Sequence, residues 1–259
     1  MGKFDSKDIK LHSSWQYTDE SYKTKIHALR QQNGDFTDDG KYPVLWSTRS
    51  KFVLLLTCGD GTQIVYKAPR RLRSPLRYVF RPGPWGNEAV NYQRLADIGL
   101  PMVKLISAGE KRCFFILKHG YLMTEYAANF SDGRDFTPEG KLFNDYSARD
   151  EFIRRNFQYL AKMHSAGFIH KGFTPANLLY KKSGDTLEIK WIDVASCKKV
   201  PFKFNIRQHI ARDLSLFFHF FNFTTEEKLS LLTSYCEACE VWKTTPEKLL
   251  SLIDRNPVR

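Results

Sequence analysis

The chain has 259 residues, with 40 Lys and Arg against 28 Asp and Glu, a formal net charge of +12 and an apolar share of 42%. That length suits one large domain or two small lobes with a real core, and no apolar run approaches the ~20 residues needed to cross a bilayer. With no signal-peptide order at the N-terminus, a soluble intracellular protein is expected. The basic balance calls for an anionic partner: nucleic acid, membrane headgroups or a phosphorylated substrate. "MGKFDS" matches the myristoylation pattern at Gly2 and Ser6, a match that chance readily supplies. Five cysteines, an odd number, argue against a disulfide framework. Cys236 and Cys239 form one CxxC without two further zinc ligands nearby, so ordinary thiols are expected.

Residues 1–40 are polar and read as an N-terminal extension of unassigned structure. The runs "YPVLWST", "KFVLLLTC" and "TQIVYKA" read as strands, the last two joined across Gly59, Asp60 and Gly61 as a hairpin, with Lys67 near the end of the third. From Lys67 to Arg81 the chain carries Arg70, Arg71, Arg73 and Arg77 with no acid between them. That is either a solvated charged loop or a surface that pairs arginine forks with phosphates. In "NEAVNYQRLADIG", Ala89, Val90, Tyr92, Leu95 and Ile98 share one helix face, Glu88 sits in the first turn, and Gly99 with Pro101 ends it.

Two further extended stretches, "VKLISAGE" and "CFFILKHGYLMTEY", complete a small antiparallel β lobe with one helix over residues 41–128. The Gly- and Asp-rich "NFSDGRDFTPEG" leads into a mainly helical lobe, 129–259. There, "SARDEFIRRNFQYLAKMHS" is an amphipathic helix burying Phe152, Ile153, Phe157, Leu160 and Met163. "ANLLY" and "TLEIKWID" form a hairpin over "KKSGD", and the aromatic "IARDLSLFFHFFNF" is a buried helix. Thr224 with Glu227 makes a capping box, and Pro246 behind Thr245 starts the last helix. The fold class is α+β.

Phosphoryl transfer from ATP needs a lysine on the phosphates, an acid to hold it, ligands for magnesium and a group oriented on the acceptor hydroxyl. Lys67 in "IVYK" has the place of a kinase strand lysine, and Glu88 in the next helix can pair with it. His170 and Asn177 bracket a loop spaced as H-x-D-x-x-x-x-N, and Asp193, sixteen residues on, ends an apolar strand as the metal-binding aspartate does. Each element is weak alone. Their order and spacing, on a β lobe followed by a helical lobe, point to a protein-kinase-like two-lobe fold. Gly172 stands where the loop's catalytic aspartate belongs. Losing a general base typically removes a hundred- to ten-thousand-fold, although a loose transition state leaves much of the work to metal and lysine.

Over roughly Lys41 to Phe221 the chain resembles the bacterial lipopolysaccharide kinase family, which contains Kdo and core-heptose kinases. The resemblance rests on "IVYKAPRR", "GNEAVNYQRLADIGLPMVKLISAGE", "LMTEY", "LAKMHSAGFIHKGFTPANLLY", "KWIDVASCKK" and "RDLSLFF". It implies Lys67 and Glu88 as the phosphate-orienting pair, Asn177 and Asp193 as Mg2+ ligands, and Asp213 as the structural support of the catalytic loop. Glu125 and Tyr126 would fall in the hinge that meets adenine through backbone groups. In place of the missing aspartate, His170 or an acidic group elsewhere would orient the acceptor. The implied reaction uses ATP to phosphorylate a heptose or Kdo sugar of the lipopolysaccharide core at the cytoplasmic face of the inner membrane. Arg70, Arg71, Arg73 and Arg77 would meet the anionic glycolipid or the membrane surface, making the protein cytoplasmic and peripheral.

The chain departs from the kinase pattern at the "STRSK" turn, which lacks phosphate-loop glycines, and at Gly172. A nucleotide-binding protein with impaired catalysis, or a kinase of another small molecule, would share the same fold. A nucleic-acid-binding module would explain the charge but not the ordered set, so nucleic acid is not expected as a partner.

Overall fold

Alternating apolar residues build the first sheet. In chain order the elements are β1 (Trp15–Thr18), α1 (Lys23–Asn33), β2 (Val44–Ser47), β3 (Lys51–Thr57), β4 (Gln63–Pro69), α2 (Pro84–Asp97), β5 (Leu105–Cys113) and β6 (Ile116–Glu125). The strands pair antiparallel in the order β1-β5-β6-β4-β3-β2. Phe52, Leu54 and Leu56 of β3 and Ile64, Tyr66 and Ala68 of β4 point to one face, where Ile26 and Leu29 of α1 and Phe36 cover them. Lys67 therefore points to the other face, by the two-residue period of a strand. The structure is a computed structural model; it describes the whole chain except residues 1–3, 5, 12, 34–35, 73, 185, 201–205, 241–242 and 257–259. Gly2 and Arg73 lie outside the described residues.

The chain divides into two units, Met1–Arg94 with Val103–Ala128, and Leu95–Met102 with Asn129–Arg259. The extension read over residues 1–40 supplies a sheet strand, β1, which pairs with β5 from Trp15↔Glu110 to Thr18↔Ser107, and a helix that closes the core. The stretch "CFFIL" is not continuous strand. β5 and β6 meet at a two-residue turn of Phe114 and Phe115, with φ of 46° and 66°, between the paired Cys113 and Ile116.

A buried ion pair ties this sheet to the start of α2. Glu110 and Arg112, both with fully buried side chains, are joined at 2.7 Å. Glu110 Oε1 accepts the Gly86 amide at 3.2 Å, supplying a partner to one of the donors that a helix N-terminus leaves open. A Cβ at Gly83 or Gly86 would lie 2.6 or 2.8 Å from the same oxygen, which accounts for both glycines of "RPGPWG". Arg112 Nη1 donates to the carbonyls of Tyr78 (2.9 Å) and Phe115 (3.1 Å), and Nη2 to that of Arg81 (3.0 Å). Removing one partner of such a pair strands a buried charge, so Arg112→Leu should lower the unfolding free energy by about 3–5 kcal/mol in urea titration. A loss below ~1 kcal/mol would show the pair to be solvated instead.

In the second unit, β7 (Ser131–Asp132), α3 (Tyr146–Ser165) and β8 (Phe168–Ile169) are followed by the hairpin of β9 (Leu178–Ser183) and β10 (Thr186–Trp191). Then come β11 (Lys198–Lys199), α4 (Ile206–Phe218), α5 (Thr225–Ala238) and α6 (Pro246–Asp254). Phe152, Ile153, Phe157, Leu160 and Met163 are all buried along α3, and Ile210, Leu214, Phe217 and Phe218 along α4. Thr224 and Glu227 form the reciprocal capping box of α5, and Thr245 caps α6. Among the described residues no helix is long and apolar enough to cross a membrane. Cys236 and Cys239 are free thiols, Cys236 being pushed up to about 11 by burial and the neighbouring Cys239.

Candidate active site

In the first unit Lys67 of β4 meets Glu88 of α2. The ammonium reaches both carboxylate oxygens at 2.9 Å, with side-chain exposures of 14% and 3%. The strand period turns the lysine toward α2, and the Glu110 carboxylate anchors that helix two residues before Glu88. Together they set a lysine head at a fixed place.

The turn between β2 and β3 is closed on itself. Thr48 Oγ1 accepts the amides of Ser50 (3.3 Å) and Lys51 (3.2 Å), two groups that a glycine-rich loop would offer to phosphate. Arg70, expected among the phosphate-meeting arginines, is instead engaged within the unit, by an ion pair with Asp38 and a 2.8 Å hydrogen bond to Ser47 Oγ. The acid lies 32 positions upstream of Arg70 in sequence, beyond the acid-free window. Arg71 and Arg77 are exposed. At the end of β6 the Glu125 amide donates to the Lys104 carbonyl (2.9 Å) and the Tyr126 amide to that of Gln63 (3.4 Å). Both amides thus have internal acceptors, and the Tyr126 carbonyl in turn accepts the Ala128 amide at 2.9 Å.

In the second unit Asn177 and Asp193 flank the open end of the β9–β10 hairpin. Leu178 pairs with Trp191, and the ladder continues one step as the Ile192 amide donates to the Asn177 carbonyl at 3.0 Å. Trp191 is fixed by Asn156 of α3, whose Oδ1 accepts its indole N–H at 2.7 Å. The Asn177 Nδ2 donates to the Gly172 carbonyl (2.9 Å), which leaves the amide oxygen as the side chain's acceptor. Asp193 has φ 54°, in the left-handed region that non-glycine residues occupy at some cost and that often marks a functional position. An amide oxygen and a carboxylate are the hard donors that Mg2+ takes in small number while keeping waters and phosphates.

Asp213 of α4 supports the loop before these residues. Its carboxylate accepts the amides of His170 (2.6 Å) and Lys171 (2.7 Å), and Lys171 takes φ 62° there. His164 Nε2 lies 3.3 Å from the same carboxylate, and its Nδ1 is 2.6 Å from the Tyr235 hydroxyl of α5. Burial alone would raise the Asp213 carboxyl, but the His164 hydrogen bond, the neighbouring imidazoles and the His170 amide outweigh it and hold it below the ordinary 3.8. His164 and Tyr235 were not singled out in the sequence, where a histidine in a helix and a distant tyrosine carry no shared signal.

His170, expected to orient the acceptor, is a core side chain. It is 0% exposed, packs edge-on against Phe173 and Trp191, and neither ring nitrogen has a hydrogen-bond partner among the described residues. Burial pushes its pKa below the ordinary 6.5, against the opposing pull of Asp213 and Asp193. The folded chain then holds fewer protons here than the unfolded chain. The contribution to stability is complete above about pH 6.5 and is lost as the pH falls toward the folded value. In His170→Leu this part of the acid sensitivity should vanish: urea midpoints at about pH 7 and pH 5.5 should differ less than in the wild type. Equal sensitivity of the two proteins would remove His170 as the cause.

These units, one an antiparallel sheet with its lysine–glutamate pair and the other helical with its hairpin-borne asparagine and aspartate, define a protein-kinase-like α+β protein. The solved structure of WaaP in complex with acyl carrier protein is similar, with a TM-score of 0.62 and 17% identity, covering 93% of this chain and 96% of that one. A Stt7 homolog from Micromonas algae soaked with ATP matches with a TM-score of 0.45 and 15% identity, covering 64% of this chain and 53% of that one. No curated protein matches the sequence. Residues 71–235 match the lipopolysaccharide kinase (Kdo/WaaP) family, and the chain belongs to that family.

Proposed function

We propose that this protein is an ATP- and Mg2+-dependent kinase of a heptose or Kdo sugar in the lipopolysaccharide core. The observation that carries the reading is the family match over residues 71–235. The Lys67–Glu88 pair and the Asn177 and Asp193 donors supply the local chemistry that such a transfer uses. ATP supplies the phosphoryl group, and Mg2+ neutralises its phosphate charge. Lys67, held by Glu88, binds the α- and β-phosphates. Asn177 and Asp193 would offer oxygen ligands to the cation, and backbone groups around Glu125 and Tyr126 would meet the adenine. Asp213 keeps the loop 170–172 in place through the two amides it accepts. The acceptor is an anionic glycolipid, and the exposed Arg71 and Arg77 suit its phosphates and the cytoplasmic face of the inner membrane.

The test is transfer of labelled terminal phosphate from Mg-ATP to purified lipopolysaccharide cores of graded length. Label on a heptose- or Kdo-bearing core, absent from shorter cores, is the expected result. If nothing is labelled while ATP binds, a second reading takes over, favoured by one observation: Gly172 at the position of the usual catalytic aspartate. The protein would then be a nucleotide-binding relative with impaired transfer.

A further inference from the structure

We propose that the tip of the β5–β6 hairpin and the turn packed beside it form an aromatic wedge that docks the protein onto an anionic lipid bilayer. Phe114 is 86% exposed, Phe80 81%, Leu76 69% and Phe115 41%. Phe80 and Phe115 touch, with ring centroids 6.0 Å apart. The wedge is held from within: Arg112 binds the carbonyls of Tyr78, Arg81 and Phe115, fixing the two segments to each other.

The hairpin turn is built against local preference. Two-residue turns with positive φ at both central positions select Asn-Gly or similar pairs, because other side chains crowd the backbone there. Phe114 and Phe115 occupy both positions, at 46° and 66°. Two exposed phenylalanines held in an unfavourable backbone conformation point to a use outside the fold.

Charge selects the partner. Residues 67–87 and 111–124, which carry the wedge, contain no Asp or Glu. Arg77, Arg81, Lys111 and Lys118 are exposed in the same two segments as the apolar side chains, and Arg81 lies over the Tyr78 ring at 5.6 Å. Aromatic side chains sharing their segments with arginine and lysine match the headgroup boundary of an anionic bilayer, where rings enter the interface and cations meet phosphates. Single-stranded nucleic acid would use a grooved stacking platform. Here the groups stand on a projecting tip, and Leu76 has no ring face to stack. The inference deepens the membrane contact proposed above by naming its apolar part.

The experiment is co-sedimentation of the full chain with phosphatidylcholine vesicles, with and without phosphatidylglycerol, in the absence of ATP and lipopolysaccharide. Wild type should partition onto the phosphatidylglycerol vesicles. The double variant Phe114→Asn, Phe115→Gly installs the pair the turn prefers, so it should fold at least as well by thermal melting, yet its partition should fall about tenfold. Arg77→Gln with Arg81→Gln should remove the preference for phosphatidylglycerol. Wild type remaining in the supernatant, or the double variant sedimenting like wild type, would overturn the proposal. So would loss of self-association, RNA binding or acyl carrier protein binding in the double variant with vesicle binding intact. Transfer to a lipid-free core fragment by the double variant should stay at the wild-type rate, so failure of the wedge and failure of the sugar-kinase reading are read separately.

Discussion

Asp193→Asn should lower kcat for phosphotransfer by roughly a thousandfold, the scale for removing a preorganised charge from a transition state. The carboxylate follows the last residues of β10, at φ 54°, one residue beyond the Ile192 amide that binds the Asn177 carbonyl. Asparagine has nearly the same shape and tolerates the left-handed region, so the variant keeps backbone and volume while removing the charge. The check is single-turnover transfer at saturating ATP beside a thermal melt. A variant retaining more than about a tenth of the rate would exclude Asp193 as a principal metal ligand. A variant that melts early would show that the carboxylate also supports the fold.

Gly172→Asp should raise kcat by about a hundredfold, the lower end of what a positioned general base contributes. The position has room: among the described residues, its chain neighbours aside, a Cβ there would meet His170 Nδ1 at 3.8 Å, an ordinary contact, and the backbone is not in the left-handed region. The glycine is therefore not demanded by sterics. Its carbonyl, which accepts the Thr174 amide and the Asn177 side chain, is unaffected by an added side chain. The measurement is the pH dependence of kcat for both proteins. A faster variant with a new acidic limb would mean that the native site works without a base at this position. An unchanged rate and profile would mean that another group already orients the acceptor.

Much of this was readable because the signals are local. The β3–β4 hairpin follows from two apolar extended runs around Gly59–Gly61, the helix caps from Thr224 and Thr245, and the Lys67–Glu88 pairing from a strand end followed by a helix. What was missed depends on distant partners. β1 is four residues long and exists as a strand because β5 offers it an edge. The turn at Phe114 lacks Gly or Asn, so the sequence reads straight through it. His164, Asp213 and Tyr235 act together although the histidine lies 49 and 71 positions from its partners. For His170, spacing indicated a loop position but not which way the ring turns, and the aromatic surroundings of Phe173 and Trp191 take it inward. Arg70 looked unopposed because Asp38 precedes the strands that bring the two together.

The anchoring of α2 bears on control. Many protein kinases are switched by swinging the helix that carries the lysine-binding glutamate. Here the first turn of that helix is fastened through the Gly86 amide to Glu110, whose carboxylate is locked to Arg112. Swinging it out would take the Gly86 amide off Glu110 and the Glu88 carboxylate off Lys67, leaving the Glu110–Arg112 pair intact within β5; losing the hydrogen bond to the buried carboxylate alone costs about 1.5–3 kcal/mol. That anchor weights the helix toward the position in which Glu88 holds Lys67, by about ten- to a hundredfold.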